Sequence, residues 1–311
     1  MKVAVIGPGM MGCGIAASIA AGGPHEVCLC GRSAEAADRG KAKAEELLGF
    51  LKSNGVAASS TGRIIASTKL PEAVASAEIV FESIVEDLGA KQAMFKELEA
   101  LTPASAILCT NTSSLSVSEI VGACERNGAA RSMAAHFIGP AHLVPLVELC
   151  PAKQTAVGAA SPVEKVRTFL ESIGKRPVVL KQEIDGFIAA RLQAALYREC
   201  LHLVESGVAD CEAIDGAVVN GFGRRLNQIG PFQQADFAGV DLTQRTHARF
   251  FPQLGSYERD VRADSLVPMG RTGVKSLSGH HDWTEAKVWE VSGRRDAELL
   301  RRLKADVVAR L

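Results

Sequence analysis

The feature that most constrains the fold is the turn GPGMMG at residues 7–12, which lies between an apolar segment and a run of small residues. The preceding residues KVAVIG are typical of a short buried β-strand, and residues 13–22 are typical of a helix with small side chains. The spacing G-x-G-x-x-G permits a tight turn, a close approach of a phosphate to the backbone, and close packing of the helix on the strand. These residues predict the first strand–turn–helix unit of a doubly wound sheet that binds a dinucleotide.

Strand and helix patterns alternate through the first half of the chain. Helical spacing of apolar residues occurs at 34–53, 88–101 and 162–173. Short apolar runs before, between and after these helices are typical of strands: EVCLC, RIIAST, EIVFESI, AILCTNT, SMAAHFI, LVELCP and PVVL. This alternation predicts a mostly parallel sheet that is covered by helices on both faces.

The pattern changes after residue 184. Residues 187–206 form a long helical pattern, and a further helix is expected to begin at Asp210. Strand patterns are nearly absent from there to the amphipathic segment 284–311. The sequence therefore predicts an α/β protein with two domains. A Rossmann-type, doubly wound, mostly parallel sheet is expected over residues 1–184, and a mainly α-helical domain over residues 185–311.

The composition fits an enzyme that acts on a small molecule. The 311 residues are 47% hydrophobic, and 35 basic side chains balance 35 acidic ones, so nothing favours a nucleic-acid or membrane-surface partner. The eight cysteines include no C-x-x-C pair, so we expect neither a disulfide framework nor a metal site. No run of about 18 apolar residues is present, and we predict a cytoplasmic protein without a membrane span.

The end of the second predicted strand bears on the choice of nucleotide. Dinucleotide-binding folds usually place an acidic residue there to bind the 2′-hydroxyl of the adenosine ribose, but this chain has Gly31 followed by Arg32. Glycine removes a carboxylate that would repel a 2′-phosphate, and arginine is well suited to bind a phosphate. The pair slightly favours NADP over NAD. The alternative is an ordinary surface arginine that follows a strand.

A histidine and a glutamate in the segment AAHFIGPAHLVPLVELC are candidates for acid–base chemistry. His136 ends one apolar strand pattern, and Glu148 lies within the next one. A buried glutamate is costly without a partner, so Glu148 is expected to pair with another polar group. An imidazole held by a carboxylate is a better base and tolerates a positive charge, which suits removal of a proton from an alcohol. From spacing alone, a structural histidine at a strand end is the alternative.

Several motifs together resemble the 3-hydroxyacyl-CoA dehydrogenase family, which includes the λ-crystallin, gulonate dehydrogenase and carnitine dehydrogenase branches. The resemblance covers nearly the whole chain and rests on GPGMMGCGIA, FESIVEDLGAKQAMF, TNTSSL, AHFIGP with VPLVEL, DGFIAARLQ, and GFGRRLNQIGPFQQADFAGVDL. It implies an oxidoreductase that transfers a hydride between a nicotinamide cofactor and the 3-hydroxy or 3-keto carbon of a substrate, as in fatty acid metabolism. It also implies a homodimer formed through the helical domain, with the helix at 187–206 at the interface.

The resemblance implies roles for individual residues as well. His136 resembles the catalytic base, Glu148 its partner in a dyad, and Ser113 the serine that hydrogen-bonds the reacting oxygen. From the glycine turn, the second strand and the resemblance together, the residues expected at the cofactor are Gly7, Gly9, Met10, Met11, Gly12, Gly31, Arg32, Glu86, Lys91 and Asn111. Without the family, the NTSS segment is only a polar turn after a strand. Glu86 and Lys91 are then a pair at a helix start on a solvated face.

Three departures from the family pattern leave the substrate open. Gly31 replaces the usual acid, Gly139 replaces an asparagine expected three residues after His136, and Ala190 replaces an asparagine on the substrate side. The first substrate class is a short 3-hydroxyacyl-CoA such as 3-hydroxybutyryl-CoA. The alternatives are a free, polar 3-hydroxy acid, as in the gulonate and carnitine branches, and a non-catalytic nucleotide-binding protein of the crystallin type.

Overall fold

A computed structural model describes residues 1–309 of the chain. Eight strands in the first part of the chain form one sheet. The strands are β1 (Lys2–Ile6), β2 (Glu26–Cys30), β3 (Arg63–Ser67), β4 (Ile79–Glu82), β5 (Ile107–Thr110), β6 (Ser132–Phe137), β7 (Leu146–Pro151) and β8 (Arg176–Val179). Their order across the sheet is β3-β2-β1-β4-β5-β6-β7-β8. The first six strands in this order are parallel, while β7 runs antiparallel to β6 and parallel to β8.

Helices connect the parallel strands and make up most of the rest of the chain. They are α1 (Met10–Ala21), α2 (Ala34–Ser53), α3 (Leu70–Val74), α4 (Leu88–Leu101), α5 (Val117–Val121), α6 (Pro162–Ser172), α7 (Ala189–Glu205), α8 (Cys211–Asn220), α9 (Pro231–Ala238), α10 (Val240–Phe250), α11 (Val261–Leu266) and α12 (Glu285–Val308). The predicted class, a doubly wound mostly parallel sheet followed by a helical region, is confirmed.

The connection between β6 and β7 explains why the sheet is not wholly parallel. Parallel neighbours need a crossover connection, usually a helix, which α1 to α5 provide between successive strands up to β6. Residues 138–145 between β6 and β7 contain no helix, so the chain returns alongside β6 in the opposite direction. This return places residues of β7 directly opposite residues of β6.

Strand β1 lies at the centre of the sheet and is buried on both faces. Val3 and Val5 belong to the core on one face, with residues of α1, α2 and α6. Ala4 and Ile6 belong to the core on the other face, with residues of α3, α4 and α5. Because neighbouring side chains of a strand point to opposite faces, the continuous apolar run KVAVI fits a strand that is covered on both sides.

The sheet order reverses beside β1. Strands β2 and β3 lie on one side of β1, and β4 lies on the other. In open α/β sheets, ligands bind outside the carboxyl ends of the strands at such a reversal. The loops that follow β1, β4, β5 and β6 are therefore the ones in which to look for a site.

Two helix starts differ from the sequence-based expectation. Helix α1 begins at Met10 rather than at residue 13, because Gly9 is its N-cap and the turn joins the helix directly. Helix α7 begins at Ala189 rather than at residue 187. Gly186 and Phe187 have positive φ angles of 74° and 48°, so the backbone before α7 is not helical.

Contacts divide the chain into two compact units, one formed by Met1–Ile188 with the final segment from Arg295, the other by Ala189–Arg294. The second unit contains α7 to α11 and the start of α12. None of the helices in residues 1–309 combines the length and the apolar character that a bilayer crossing requires.

The final segment belongs to the first unit because it packs on the core of that unit. Leu299, Leu300 and Leu303 of α12 contact the core that includes α1, and Lys304 Nζ donates a hydrogen bond of 3.0 Å to Asn54 Oδ1. The predicted second domain, 185–311, included this segment.

Candidate active site

The glycine turn after β1 is closely packed at two of its glycines and open at the third. Gly7 has a φ of 104°, and a Cβ there would lie 2.4 Å from Ser83 O. A Cβ on Gly12 would lie 1.9 Å from Gly7 O, so packing requires glycine at both positions. A Cβ on Gly9, by contrast, would have no heavy atom within 4 Å. The turn is therefore closely packed at Gly7 and Gly12 and open at Gly9. Gly9 is also the N-cap of α1, and the first N–H groups of a helix are the ones that bind an anion.

The two methionines of the turn differ in exposure. Met10 is 85% exposed, whereas Met11 is partly buried and packs against the core that includes α1. A Cβ on Gly139, in the loop after β6, would lie 3.5 Å from Met11 Sδ, so the loops after β1 and β6 approach each other. Ala190 lies in the first turn of α7.

Packing explains the glycine that ends β2. A Cβ on Gly31 would lie 2.9 Å from Ala37 N and 3.1 Å from Pro8 Cγ, so a larger residue would have to displace α2 or the glycine turn. Arg32 follows as an exposed side chain that forms no ion pair within residues 1–309. Ser33 then caps α2, with its Oγ accepting a hydrogen bond of 3.2 Å from Ala36 N–H. The side chain at this strand end is thus a cation without an acidic partner among residues 1–309.

His136 and Glu148 lie opposite each other in the antiparallel pair of β6 and β7. His136 Nδ1 and Glu148 Oε2 are 2.9 Å apart, and both side chains are buried. Ile188 N–H donates a hydrogen bond of 2.9 Å to Glu148 Oε1, and the Phe187 ring lies 5.6 Å from the His136 ring. The structure thus brings together the two residues that were paired from the sequence.

The orientation of this pair leaves one imidazole nitrogen for chemistry. An ionised carboxylate only accepts hydrogen bonds, so Nδ1 of His136 carries the proton toward Glu148 and Nε2 holds the free lone pair. An imidazole in this state accepts a proton at Nε2, and the nearby carboxylate stabilises the imidazolium that results. The pair can therefore act as a base toward a hydroxyl group.

The loop after β5 is held by one carboxylate. Glu86 Oε1 accepts hydrogen bonds from Thr112 Oγ1 (2.5 Å), Ser113 N–H (3.0 Å), Ser114 N–H (3.2 Å) and Ser114 Oγ (3.1 Å). Burial raises the pKa of Glu86, but these hydrogen bonds and Lys91 outweigh burial and hold the pKa below its usual value. Glu86 thus anchors the serine loop, defined here as Thr112–Ser114, and the sequence did not suggest that contact.

Asn111 connects the serine loop to the strand that carries the histidine. Its Oδ1 accepts a hydrogen bond of 2.8 Å from Phe137 N–H, next to His136, and its own N–H donates to Glu82 O. Asn111 therefore ties the carboxyl ends of β4, β5 and β6 together. Ser113 is exposed beside this junction.

Lys91 is buried, so the sequence-based alternative of a solvated pair with Glu86 is wrong for the lysine. Its side chain is 1% exposed, and Nζ lies 2.7 Å from Glu82 Oε1 and 3.4 Å from Glu86 Oε2. Sequence analysis missed Glu82, which ends β4 and is fully buried. The signal was present, because an acid that ends the apolar run IVFE needs a partner for the same reason as Glu148.

A Rossmann-type sheet with an open glycine turn and a buried histidine–carboxylate pair defines a class, the nicotinamide-dependent dehydrogenases. The family described as 3-hydroxyacyl-CoA dehydrogenase, NAD binding domain, matches residues 2–184, and the 3-hydroxyacyl-CoA dehydrogenase C-terminal domain matches residues 186–283. The chain belongs to the 3-hydroxyacyl-CoA dehydrogenase family. It is an oxidoreductase that uses a nicotinamide cofactor and acts on a CH–OH group.

Relatives of this chain differ in substrate. It is 28% identical over 308 residues to 5-formyl-3-hydroxy-2-methylpyridine 4-carboxylate 5-dehydrogenase of Mesorhizobium japonicum, covering 96% of each chain. It is 32% identical over 289 residues to a probable 3-hydroxybutyryl-CoA dehydrogenase of Deinococcus radiodurans, covering 91% of this chain and all of the relative. The crystal structure of a 5-formyl-3-hydroxy-2-methylpyridine 4-carboxylic acid 5-dehydrogenase, an NAD⁺-dependent dismutase, matches with a TM-score of 0.90 and 26% identity over 98% of each chain.

Proposed function

We propose that this protein transfers a hydride between a nicotinamide cofactor and the 3-hydroxy or 3-keto carbon of a small substrate, with His136 as the base. The observation that carries the proposal is the buried contact of 2.9 Å between His136 Nδ1 and Glu148 Oε2. Buried polar pairs at the carboxyl edge of such a sheet are costly for stability and are typical of active sites.

The proposed chemistry assigns one task to each of three side chains. When bound, nicotinamide supplies the acceptor or donor of the hydride. During oxidation His136 Nε2 accepts the hydroxyl proton, while the hydride leaves the same substrate carbon and a ketone forms. Glu148 stabilises the imidazolium, and Ser113 Oγ donates a hydrogen bond to the reacting oxygen. During reduction the imidazolium returns its proton to the substrate oxygen.

The cofactor is proposed to lie along the carboxyl edge of β1 and β2. Backbone N–H groups of Gly9, Met10 and Met11 would face the pyrophosphate, and the open space over Gly9 supports this placement. We propose that Gly31 and Arg32 accept a 2′-phosphate, so that NADP is used at least as well as NAD. Support comes from the missing acid and from an arginine that has no ion-pair partner in the described part of the chain.

Two substrate classes follow from the family. The first is a short 3-hydroxyacyl-CoA, such as 3-hydroxybutyryl-CoA, which is the substrate named for the Deinococcus radiodurans relative. The second is a small free hydroxy acid without CoA. The TM-score of 0.90 to a pyridine carboxylic acid dehydrogenase favours the second class, as does the absence of asparagine at Gly139 and Ala190.

A homodimer formed through the helical unit is also proposed. Several large apolar side chains are exposed on that unit, including Leu192, Leu196, Phe232, Phe237 and Trp289. Exposed apolar surface of this kind is typical of protein interfaces. Light scattering should therefore give twice the mass of one chain, and a single-chain mass at micromolar concentration would contradict the dimer.

The test of function follows the nicotinamide absorbance in four parallel reactions. Acetoacetyl-CoA and free acetoacetate are each offered with NADPH and with NADH at equal concentration. Oxidation of cofactor with acetoacetyl-CoA supports the acyl-CoA class, and oxidation with acetoacetate alone supports the free-acid class. Faster oxidation of NADPH than of NADH supports a 2′-phosphate site at Gly31 and Arg32, whereas faster oxidation of NADH contradicts it. Bound cofactor without turnover on any keto compound would support the non-catalytic alternative.

A further inference from the structure

Glu82 is a buried carboxylate that none of the tasks above explains. It ends β4, and its exposed fraction is 0%. Its Oε1 accepts hydrogen bonds of 2.7 Å from Lys91 Nζ and from Ile84 N–H, and its Oε2 accepts one of 2.7 Å from Thr110 Oγ1. Because the desolvation of two charges offsets most of their attraction, a buried ion pair adds little stability. The ion pair of Glu82 and Lys91 therefore needs an explanation other than stability.

The contacts of Lys91 suggest that explanation. The ammonium group lies between two carboxylates, at 2.7 Å from Glu82 Oε1 and at 3.4 Å from Glu86 Oε2. The second of these carboxylates accepts the hydrogen bonds of the serine loop through its other oxygen. A continuous chain of polar contacts thus leads from Glu82 through Lys91 and Glu86 to the backbone of Ser113.

A second path between the same residues runs through β5. Thr110 Oγ1 donates to Glu82 Oε2 and accepts a hydrogen bond of 3.3 Å from Thr112 N–H. Glu82 is therefore connected to the serine loop through Thr110 as well as through Lys91 and Glu86. Both paths end within one residue of Ser113.

We propose that Glu82 is a positioning residue for catalysis, which fixes Lys91 and Thr110 so that Glu86 holds the serine loop and aims Ser113 at the reacting oxygen. The proposal rests on the proposed role of Ser113 in hydride transfer. Glu82 does not touch the substrate, so its effect on turnover passes through Ser113. Lys91 is in turn a bridge between two acids, in addition to its expected place near the cofactor.

The same unit offers a matched control in Glu99. This glutamate is also buried, and its carboxylate accepts N–H groups of Glu125, Arg126 and Gly128 in a loop that follows α5. None of its contacts with the described residues involves the serine loop or the pair of His136 and Glu148. A change from carboxylate to amide at Glu99 therefore has the cost of a buried acid without the connection to Ser113.

The experiment is a double-mutant cycle on kcat with the keto substrate that the wild type reduces. Glu82→Gln, Ser113→Ala, the double variant and Glu99→Gln are compared in the full-length protein. Ser113→Ala should lower kcat about 100-fold, as expected for loss of one hydrogen-bond donor to the reacting oxygen. Glu82→Gln should lower kcat about tenfold, with KM changed less than about threefold, because the lost contact acts in the transition state. Glu99→Gln should leave kcat unchanged.

The decisive result is the double variant. If Glu82 acts through Ser113, the double variant is no slower than Ser113→Ala alone, because the two changes are not additive. Additive losses, or an unchanged kcat in Glu82→Gln, would overturn the positioning role. An unchanged kcat in Ser113→Ala would instead overturn the proposed mechanism, so the two failures are distinguishable. Should Glu82→Gln fail to fold, Thr110→Val removes one of its donors at constant shape and should show the same non-additivity with Ser113→Ala.

Discussion

At the residue scale, the site consists of acids whose partners come from distant parts of the chain. Glu148 was expected to have a partner because it lies inside an apolar run, and His136 is that partner. Glu82 carries the same signal, because it lies within the predicted strand EIVFESI. The contact of Glu86 with Ser113 could not be predicted, because it depends on how the loops after β4 and β5 approach each other in the sheet.

Two acids with a lowered pKa make the fold sensitive to low pH. In Glu86 and Glu99 burial raises the pKa, but hydrogen bonds outweigh it and hold the pKa below the usual 4.5. Such a carboxylate stabilises the folded state above the pKa of the unfolded chain, and this contribution is lost as pH falls through the lower, folded-state pKa. The free energy of unfolding in urea should therefore decrease as the pH falls below about 4.5.

A variant separates this cause from general acid denaturation. Glu99→Gln should be less stable than the wild type at neutral pH, and the difference should shrink in acid, since the amide does not titrate. If the difference between the two proteins is the same at both pH values, Glu99 does not contribute to the acid sensitivity.

At the scale of elements, strand and helix types follow from the periodicity of apolar residues, whereas starts and directions depend on tertiary contacts. The pattern in residues 13–22 predicts a helix, but the helix begins at Met10 because Gly9 caps it. The pattern LVELCP predicts a strand, but only the helix-free return after β6 makes it antiparallel. That direction is what aligns Glu148 with His136.

Two glycine substitutions in neighbouring helices test the account of the turn. Gly12→Ala adds a Cβ at 1.9 Å from Gly7 O, so it should lower the free energy of unfolding by about 3 kcal/mol and weaken cofactor binding. Gly49→Ala in α2 adds a Cβ that meets no atom within 4 Å, and should raise stability by about 0.5–1 kcal/mol with cofactor binding unchanged. Urea titrations and cofactor fluorescence measure both quantities. Equal effects of the two changes would contradict the packing argument.

At the scale of the whole molecule, the sequence predicts the order of an α/β part and a helical part, because strand patterns cease near residue 184. It does not predict that the chain returns to its first unit. Leu299, Leu300 and Leu303 form the apolar stripe of an amphipathic helix. Such a stripe could pack on any apolar surface, and only the structure assigns it to the core beside α1. The absence of an acid at Gly31 is visible in the sequence, but its packing reason, the closeness of Pro8 and Ala37, is not.

The central claim is that the buried pair of His136 and Glu148 moves the proton in a nicotinamide-dependent oxidation or reduction. The most direct test measures kcat of the wild type and of His136→Gln on the keto substrate that the wild type reduces, with cofactor affinity measured in parallel. We expect kcat to decrease about 10²–10⁴-fold, as for loss of a general acid or base. Cofactor affinity should stay within about twofold, because the histidine acts on the substrate. Turnover equal to that of the wild type would contradict the account.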